Sequence, residues 1–120
     1  MLQHIAVIPS EQIAITVVSA EEMLRGRLAQ VSRAKTAVQR VSAYYWFQET
    51  LSFLSEFPLL PYDTVSDAIF MDLRGQKLRT GTQDLRIAAI VLRQNAVLVT
   101  RNTQDFAPIP KLQVIDWSTK

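Results

Sequence analysis

The chain has 120 residues, of which 48% are hydrophobic and 20% are charged, values typical of one globular domain with a modest core. It has no cysteine, which excludes disulfides and cysteine-ligated zinc and favours a reducing cytoplasm. With a single histidine, any metal is expected to have oxygen ligands, which favours Mg²⁺ or Mn²⁺. The net charge of +2 is too small to indicate a nucleic-acid-binding protein on its own.

The first half of the chain predicts one strand among helices. Residues 2–8 resemble the last turns of a helix that Pro9 stops. Residues 13–19 are rich in β-branched side chains and apolar on both faces, as in a strand covered on both sides. Apolar residues spaced three and four apart predict one helix over 20–31 and a longer one over 36–57.

The second half of the chain alternates helices with short strands. The predicted elements are, in chain order, a candidate strand at 59–60, a helix that Thr64 caps and that continues to about Leu78, a helix over 84–94 after a break at Gly81, and strands at 97–100 and 112–117. Strands separated by helices predict a single α/β domain over 1–120, with a three-layer parallel sheet and flanking helices. No apolar run is long enough for a membrane span, and we expect no signal peptide.

Acidic and amide side chains follow the predicted strands or open the apolar helix. Glu21 and Glu22 come after the first strand, Asp84 opens the helix, and Asn102 and Asp105 follow the strand at the other end. Ligands bind at the carboxyl ends of strands in parallel sheets, so we expect these side chains to lie close together. A magnesium ion held between them could activate water against a phosphodiester.

Each of these acids also has a purely structural interpretation. Glu21 and Glu22 lie in a first helical turn, where the helix dipole favours acids. Asp84 could cap its helix, and Asp105 could close a turn with its own backbone. Considered one at a time, Glu21 is better explained by a structural role, and the two roles are about equally supported for the other acids. Taken together, acids at three separate strand-end loops favour a site.

Basic and aromatic residues on the predicted helices add two further alternatives. A cluster of basic residues is either a solvated helical face or a nucleic-acid contact, and comprises Arg25, Arg27, Arg33, Lys35 and Arg40. The aromatic run at 44–47 could stack on bases, but packing in a core or at a dimer contact is favoured.

Three motifs resemble those of PIN-domain ribonucleases, especially the toxins of the VapC type. They are residues 15–26, where the family pattern selects Glu22 over Glu21, then residues 84–89, and residues 100–106. Their order and spacing make the resemblance specific, and it covers residues 13–117. The implied fold is the PIN-like α/β sheet.

The resemblance implies a function and a set of residue roles. It implies a toxin of a toxin–antitoxin pair that cleaves single-stranded RNA with Mg²⁺ or Mn²⁺, binds a protein antitoxin and forms a homodimer. The implied catalytic and metal-binding residues are Glu22, Asp84 and Asp105, with Asn102 completing the metal site and Arg86 and Arg101 contacting RNA phosphates.

Two features depart from the family pattern. Asn102 stands where many members have aspartate, so Asp105 could replace that ligand or act further from the metal. The family opens with a mid-sheet strand carrying an aspartate, whereas no aspartate precedes Asp63 here. We therefore expect either that Met1 is an internal start or that the chain is a degenerate gene product.

These departures leave a second function open, a truncated, non-catalytic PIN-like protein that binds a partner or dimerises. They also predict little or no nuclease activity. Without the family's first strand, the strand at 13–19 would have unpaired backbone groups on one side, which are costly to leave exposed. We expect a neighbouring molecule or a rearranged N-terminal segment to cover this gap, with the helix around Tyr45 and Phe47 as a further dimer contact.

Overall fold

A computed structural model describes residues 6–8 and 13–116 of the chain. Its strands are β1 (Ala6–Ile8), β2 (Ile15–Thr16), β3 (Leu59–Leu60), β4 (Val97–Thr100) and β5 (Gln113–Asp116). Its helices are α1 (Val17–Arg33), α2 (Ala37–Leu54), α3 (Thr64–Gly75), α4 (Thr82–Arg93) and α5 (Thr103–Phe106). Among these described helices, none combines the length and apolar character that a membrane crossing requires.

The strands form two small sheets that a single bridge connects. β4 pairs in parallel with β5 and antiparallel with β1, while β2 and β3 pair in parallel. Val7 of β1 also forms an antiparallel bridge with Ala14, just before β2. Since β1 is antiparallel to both neighbours, the other four strands run in one direction. The α/β class is confirmed, with short strands and a reversed strand in the middle of an otherwise parallel arrangement.

The predicted helix over 2–8 is wrong where the structure describes it. Ala6, Val7 and Ile8 form a strand whose register places them opposite Val99, Leu98 and Val97. Val7 is fully buried, and its backbone exchanges two hydrogen bonds of 2.8 and 2.6 Å with Ala14. Unpaired backbone groups beside a buried strand are costly, and this segment satisfies them. The N-terminal segment therefore covers the predicted gap; residues 2–5 lie outside the described range.

The predicted strand over 13–19 is too long, because a helix begins inside it. The Thr16 hydroxyl accepts a hydrogen bond from the Ser19 backbone N–H at 3.0 Å and donates one to the Ser19 hydroxyl at 2.9 Å. This cap satisfies an orphan donor of the first helical turn. Val17 and Val18 are therefore helical despite their β-branched side chains, and α1 starts three residues before the predicted Ala20.

The strands at 59–60 and 97–100 are found as predicted, and the remaining elements are found with shifted ends. Asp63, not Thr64, caps α3, which ends at Gly75 rather than near Leu78. The apolar helix begins at Thr82 after Gly81, so Asp84 lies within its first turn. The final strand is Gln113–Asp116, and Trp117 lies outside the described residues.

The main core surrounds α4. Ile87, Ala88, Ala89, Ile90 and Val91 of this helix are fully buried and pack with residues of α3, β1 and β4. Burial on nearly all sides explains why residues 87–91 include no polar side chain. A smaller cluster joins β2 and α1 to the end of α2. The two clusters fix the start of α1 and the start of α4 in the same body.

Candidate functional site

The strand directions bring the ends of three segments to one edge of the molecule. β2 and β4 run in the same direction, so α1 leaves the sheet at the edge where β4 delivers Asn102 and Asp105. α4 precedes β4 and packs against it, and its N-terminus with Asp84 lies towards that edge. The topology therefore supports the predicted approach of residues that are far apart in sequence.

Glu22 experiences both burial and the negative charge of Asp84. Glu22 is half-buried, and burial raises its pKa above the ordinary value, with repulsion from Asp84 raising it further. The charge of Glu21 acts in the same direction and that of Arg25 opposes it. A carboxylate in this environment is destabilised, and a cation would relieve the repulsion.

Asp84 is coupled by charge to Glu22 and to Asp105. Burial raises its pKa, and repulsion from Asp105 adds to the effect. The structural alternative for Asp84 was a helix cap, but Gly81 holds that position and makes no side-chain cap.

Glu21 has contacts of its own at the surface. It is exposed, forms an ion pair with Arg25 one helical turn away, and accepts a hydrogen bond from Gln83 Nε2 at 3.3 Å. The second Gln83 atom, Oε1, accepts a hydrogen bond from Arg86 Nη1 at 2.6 Å. Glu21 thus serves to connect α1 with α4, which agrees with its favoured structural role.

The loop after β4 presents Asn102 and Asp105 at the surface. Asn102 precedes α5, and its backbone N–H donates to the buried Thr100 hydroxyl at 3.0 Å. Its side chain makes no cap, so the amide remains available as a ligand. Asp105 is exposed, and its backbone carbonyl accepts a hydrogen bond from the Thr80 hydroxyl at 3.1 Å. This bond ties the loop to the segment before α4.

The two predicted RNA-contacting arginines differ in their surroundings. Arg86 is half-buried, with its guanidinium 5.2 Å from the ring centre of Phe70 and bonded to Gln83. These contacts position α4 against α3, so a structural role explains Arg86. Arg101 is exposed beside Asn102 and suits contact with an anionic substrate better.

The oxygen ligands available at this edge suit a hard cation such as Mg²⁺, although they are few. Two half-buried carboxylates with raised pKa values, an exposed carboxylate and an amide are oxygen ligands of the kind Mg²⁺ prefers. Within residues 6–8 and 13–116, no three acidic or histidine side chains are close enough to hold one metal ion. A cation here would therefore rest on one or two carboxylates and keep several water ligands.

Gln83 and Thr80 are the residues that sequence reasoning missed. Both are neutral and belong to the turn before the buried part of α4, where neither charge nor periodicity marks them. The available signal was position alone, since each lies within a few residues of Asp84. Their hydrogen bonds join the three segments that carry the acids.

Comparison with known proteins adds evidence from overall structure. No protein-family model and no curated protein sequence matches the chain. Among solved structures it is similar to VapBC2 from Rickettsia felis, bound to a DNA fragment from its promoter, with 28% identity, a TM-score of 0.69, and coverage of 90% of this chain and 77% of the other.

Two further solved structures give the same result. VapBC-1 from nontypeable Haemophilus influenzae has 21% identity and a TM-score of 0.72, with 92% and 78% of the two chains covered. VapBC-5 from Mycobacterium tuberculosis, a member of the VapBC family of toxin–antitoxin systems, has 25% identity and a TM-score of 0.61, with 85% and 78% covered. The chain is thus a structural relative of the VapC-type PIN-domain toxins, as its motifs predict.

Proposed function

We propose that the chain is the nuclease toxin of a toxin–antitoxin pair and cleaves single-stranded RNA with Mg²⁺ or Mn²⁺. One observation carries this proposal, the electrostatic coupling of Glu22, Asp84 and Asp105 at one edge of the fold. Carboxylates that repel one another in a half-buried position favour a bound cation over an empty site. Toxin–antitoxin complexes among the structural neighbours support the same function.

The proposed roles follow from burial and position. Glu22 and Asp84 are half-buried and would hold the metal directly, while Asp105 and the Asn102 amide on the exposed loop would bind its water ligands. A bound magnesium ion would activate water and stabilise charge on the phosphodiester. Arg101 contacts the RNA phosphate, and Arg86 acts indirectly by fixing the N-terminal half of α4 through Gln83.

The proposed partners are a protein antitoxin and a second copy of the chain. The antitoxin is supported by the neighbours, which are toxin–antitoxin complexes. The dimer is supported by exposed apolar side chains on α2, including Val41, Tyr44 and Tyr45. A cytoplasmic location agrees with the absence of cysteine from the sequence.

A non-catalytic binding protein is the second function, and a specific observation favours it. β1 lies between β4 and the start of β2, in the middle of the strand arrangement, and carries only Ala6, Val7 and Ile8. The central strand thus contributes no carboxylate to the acidic edge. With so few ligands, magnesium would bind loosely and cleavage would be slow.

A cleavage assay separates the two functions. A fluorescently labelled single-stranded RNA is incubated with the chain in Mg²⁺, in Mn²⁺ and in EDTA, alongside Asp84→Asn and the control Glu56→Gln on the turn after α2. We expect slow, metal-dependent cleavage that Asp84→Asn abolishes and Glu56→Gln leaves unchanged. Cleavage that persists in Asp84→Asn contradicts the proposed site, and a complete lack of metal-dependent cleavage favours the binding protein.

A further inference from the structure

A cleft separates α1 from α2 at a distance in sequence from the acidic residues. It has a volume of about 1160 Å³, above the roughly 300–1,000 Å³ of pockets for small ligands. One face of α2 supplies much of its wall, with Val38, Ala43, Trp46 and Phe53 as apolar members. The other wall comes from the C-terminal half of α1, including Arg27. The length and apolar character suit a peptide segment more than a compact metabolite.

Arg27 is a buried cation that faces this cleft. Its side chain is 9% exposed, yet it forms no ion pair with any residue in the described part of the chain. Its Nε–H donates to the Thr50 hydroxyl at 3.0 Å, and Nη1 donates to Gln30 Oε1 at 3.1 Å. The guanidinium lies 5.5 Å from the ring centre of Trp46. Both N–H groups of Nη2 therefore lack an acceptor among the described residues.

The neighbours of Arg27 orient it without neutralising it. The Thr50 hydroxyl that accepts from Nε–H itself donates to the Trp46 carbonyl at 2.8 Å, which fixes the guanidinium relative to α2. Glu49 and Glu56 also line the cleft, but neither pairs with Arg27. Buried charges are normally paired, because a buried charge without a counter-charge has lost its hydration and gained nothing in return. An oriented, unpaired guanidinium beside apolar walls is a site prepared for an anion.

We propose that this cleft binds an apolar segment of a protein partner and that Arg27 pairs with a carboxylate on that segment. A carboxylate accepts the bidentate pattern that a guanidinium offers, and apolar flanking residues would cover Val38 and Trp46. An RNA phosphate fits less well, because a polyanionic backbone gains little from the apolar walls that Val38, Trp46 and Phe53 provide. The inference rests on the partner-binding part of the proposed function and is independent of nuclease activity.

Peptide selection tests the proposal even though the partner protein is unidentified. Random 15-residue peptides are selected on the immobilised full chain carrying Asp84→Asn, so that nuclease activity has no influence. We expect enriched peptides to carry an Asp or Glu between apolar residues and to weaken at least about tenfold when that acid becomes its amide. Arg27→Gln, checked for folding by thermal melting, should weaken the same peptides by a similar factor.

A second pair of variants avoids the buried position. Val38 lines the cleft and is 80% exposed, whereas Val65 on α3 is 46% exposed and does not line it. Val38→Glu should repel the acidic peptides, and Val65→Glu should leave their affinity unchanged. The proposal is overturned if no peptide is enriched, if enriched peptides lack an acid, or if both Glu variants behave alike. Competition of a single-stranded RNA at the cleft, lost in Arg27→Gln, would instead identify an RNA site.

Discussion

Phe106 links the core to the loop that carries Asn102 and Asp105, and its truncation should weaken both stability and the site. The side chain is 1% exposed and belongs to the main core cluster around α4, although α5 has only four residues. So short a helix has little stability of its own. The burial of Phe106 is therefore what holds the loop against α4.

Phe106→Ala should lower the free energy of unfolding by about 3–5 kcal/mol, since it removes a fully buried aromatic ring and leaves a cavity. Domains of this size have a total stability of roughly 5–15 kcal/mol, so the loss is a large fraction. With an m-value of about 1.5 kcal/mol/M, the urea midpoint should fall by about 2–3 M. The measurement is urea unfolding followed by circular dichroism.

Phe47→Ala serves as the matched control, because Phe47 is partly buried on α2 and belongs to neither core cluster. Phe47→Ala should lower the free energy of unfolding by about 1 kcal/mol. Equal losses in the two variants, or a Phe106→Ala loss below about 1.5 kcal/mol, would refute the claim that Phe106 anchors this loop.

Three further predictions concern charge and assembly. The pKa of Asp84 is raised, so ionisation of this carboxyl lowers the free energy of unfolding. This loss is absent below the ordinary pKa of 3.8 and develops as pH rises through the raised pKa. Asp84→Asn should thus have a higher free energy of unfolding than the parent at neutral pH, and the difference should vanish in acid. Urea unfolding of both proteins at the two pH values measures this. The pKa of Asp63 is lowered, chiefly by the hydrogen bond from the Ser66 backbone N–H. Its ionised carboxyl therefore adds to the free energy of unfolding above the ordinary pKa of 3.8, and this stabilisation is lost as pH falls through the lowered pKa. Asp63→Asn should therefore be less stable at neutral pH in the same experiment, and an equal sign for both variants would contradict these assignments. Tyr45→Glu on the exposed face of α2 should shift the mass measured by light scattering from dimer to monomer, whereas a parent that is already monomeric would exclude that contact.

Local patterns were sufficient for α4 and insufficient for β1. The continuous apolar run from Ile87 to Leu92 predicts a buried helix, because adjacent apolar residues cover every side of a helix. The strand Ala6–Ile8 pairs with Val97–Val99, far along the chain, and that partner cannot be read from its own apolar pattern. The start of α1 was missed for a different reason, since the Thr16 cap overrides the β-branched preference of Val17 and Val18.

The sequence indicates which acids belong to the candidate site, but it does not indicate the hydrogen bonds that join the segments carrying them. The motif spacing selects Glu22 over Glu21, and that choice stays a prediction. Whether the acids bind metal stays a prediction. The partners of Glu21 include Gln83, whose neutral side chain gives no signal in the sequence.

Arg27 shows where charge pattern misleads. As one of several basic residues on a helix, it suggested a solvated face, but it is buried against α2. A signal was present in the spacing, because Arg27 is four residues after Met23 and seven after Ala20, both in the smaller core cluster. Its position on that apolar stripe indicates burial more reliably than its charge indicates exposure.

The central claim is that one cation binds at the edge of the fold that carries Glu22, Asp84 and Asp105, and paramagnetic broadening by Mn²⁺ tests it most directly. Increasing Mn²⁺ is added to the isotope-labelled chain at neutral pH, and backbone amide signals are followed by NMR. We predict that signals around these three residues broaden together at the lowest concentrations, and that Asp84→Asn removes the effect. Broadening first around Glu49 and Glu56, or at Asp105 without Glu22, would contradict a shared site.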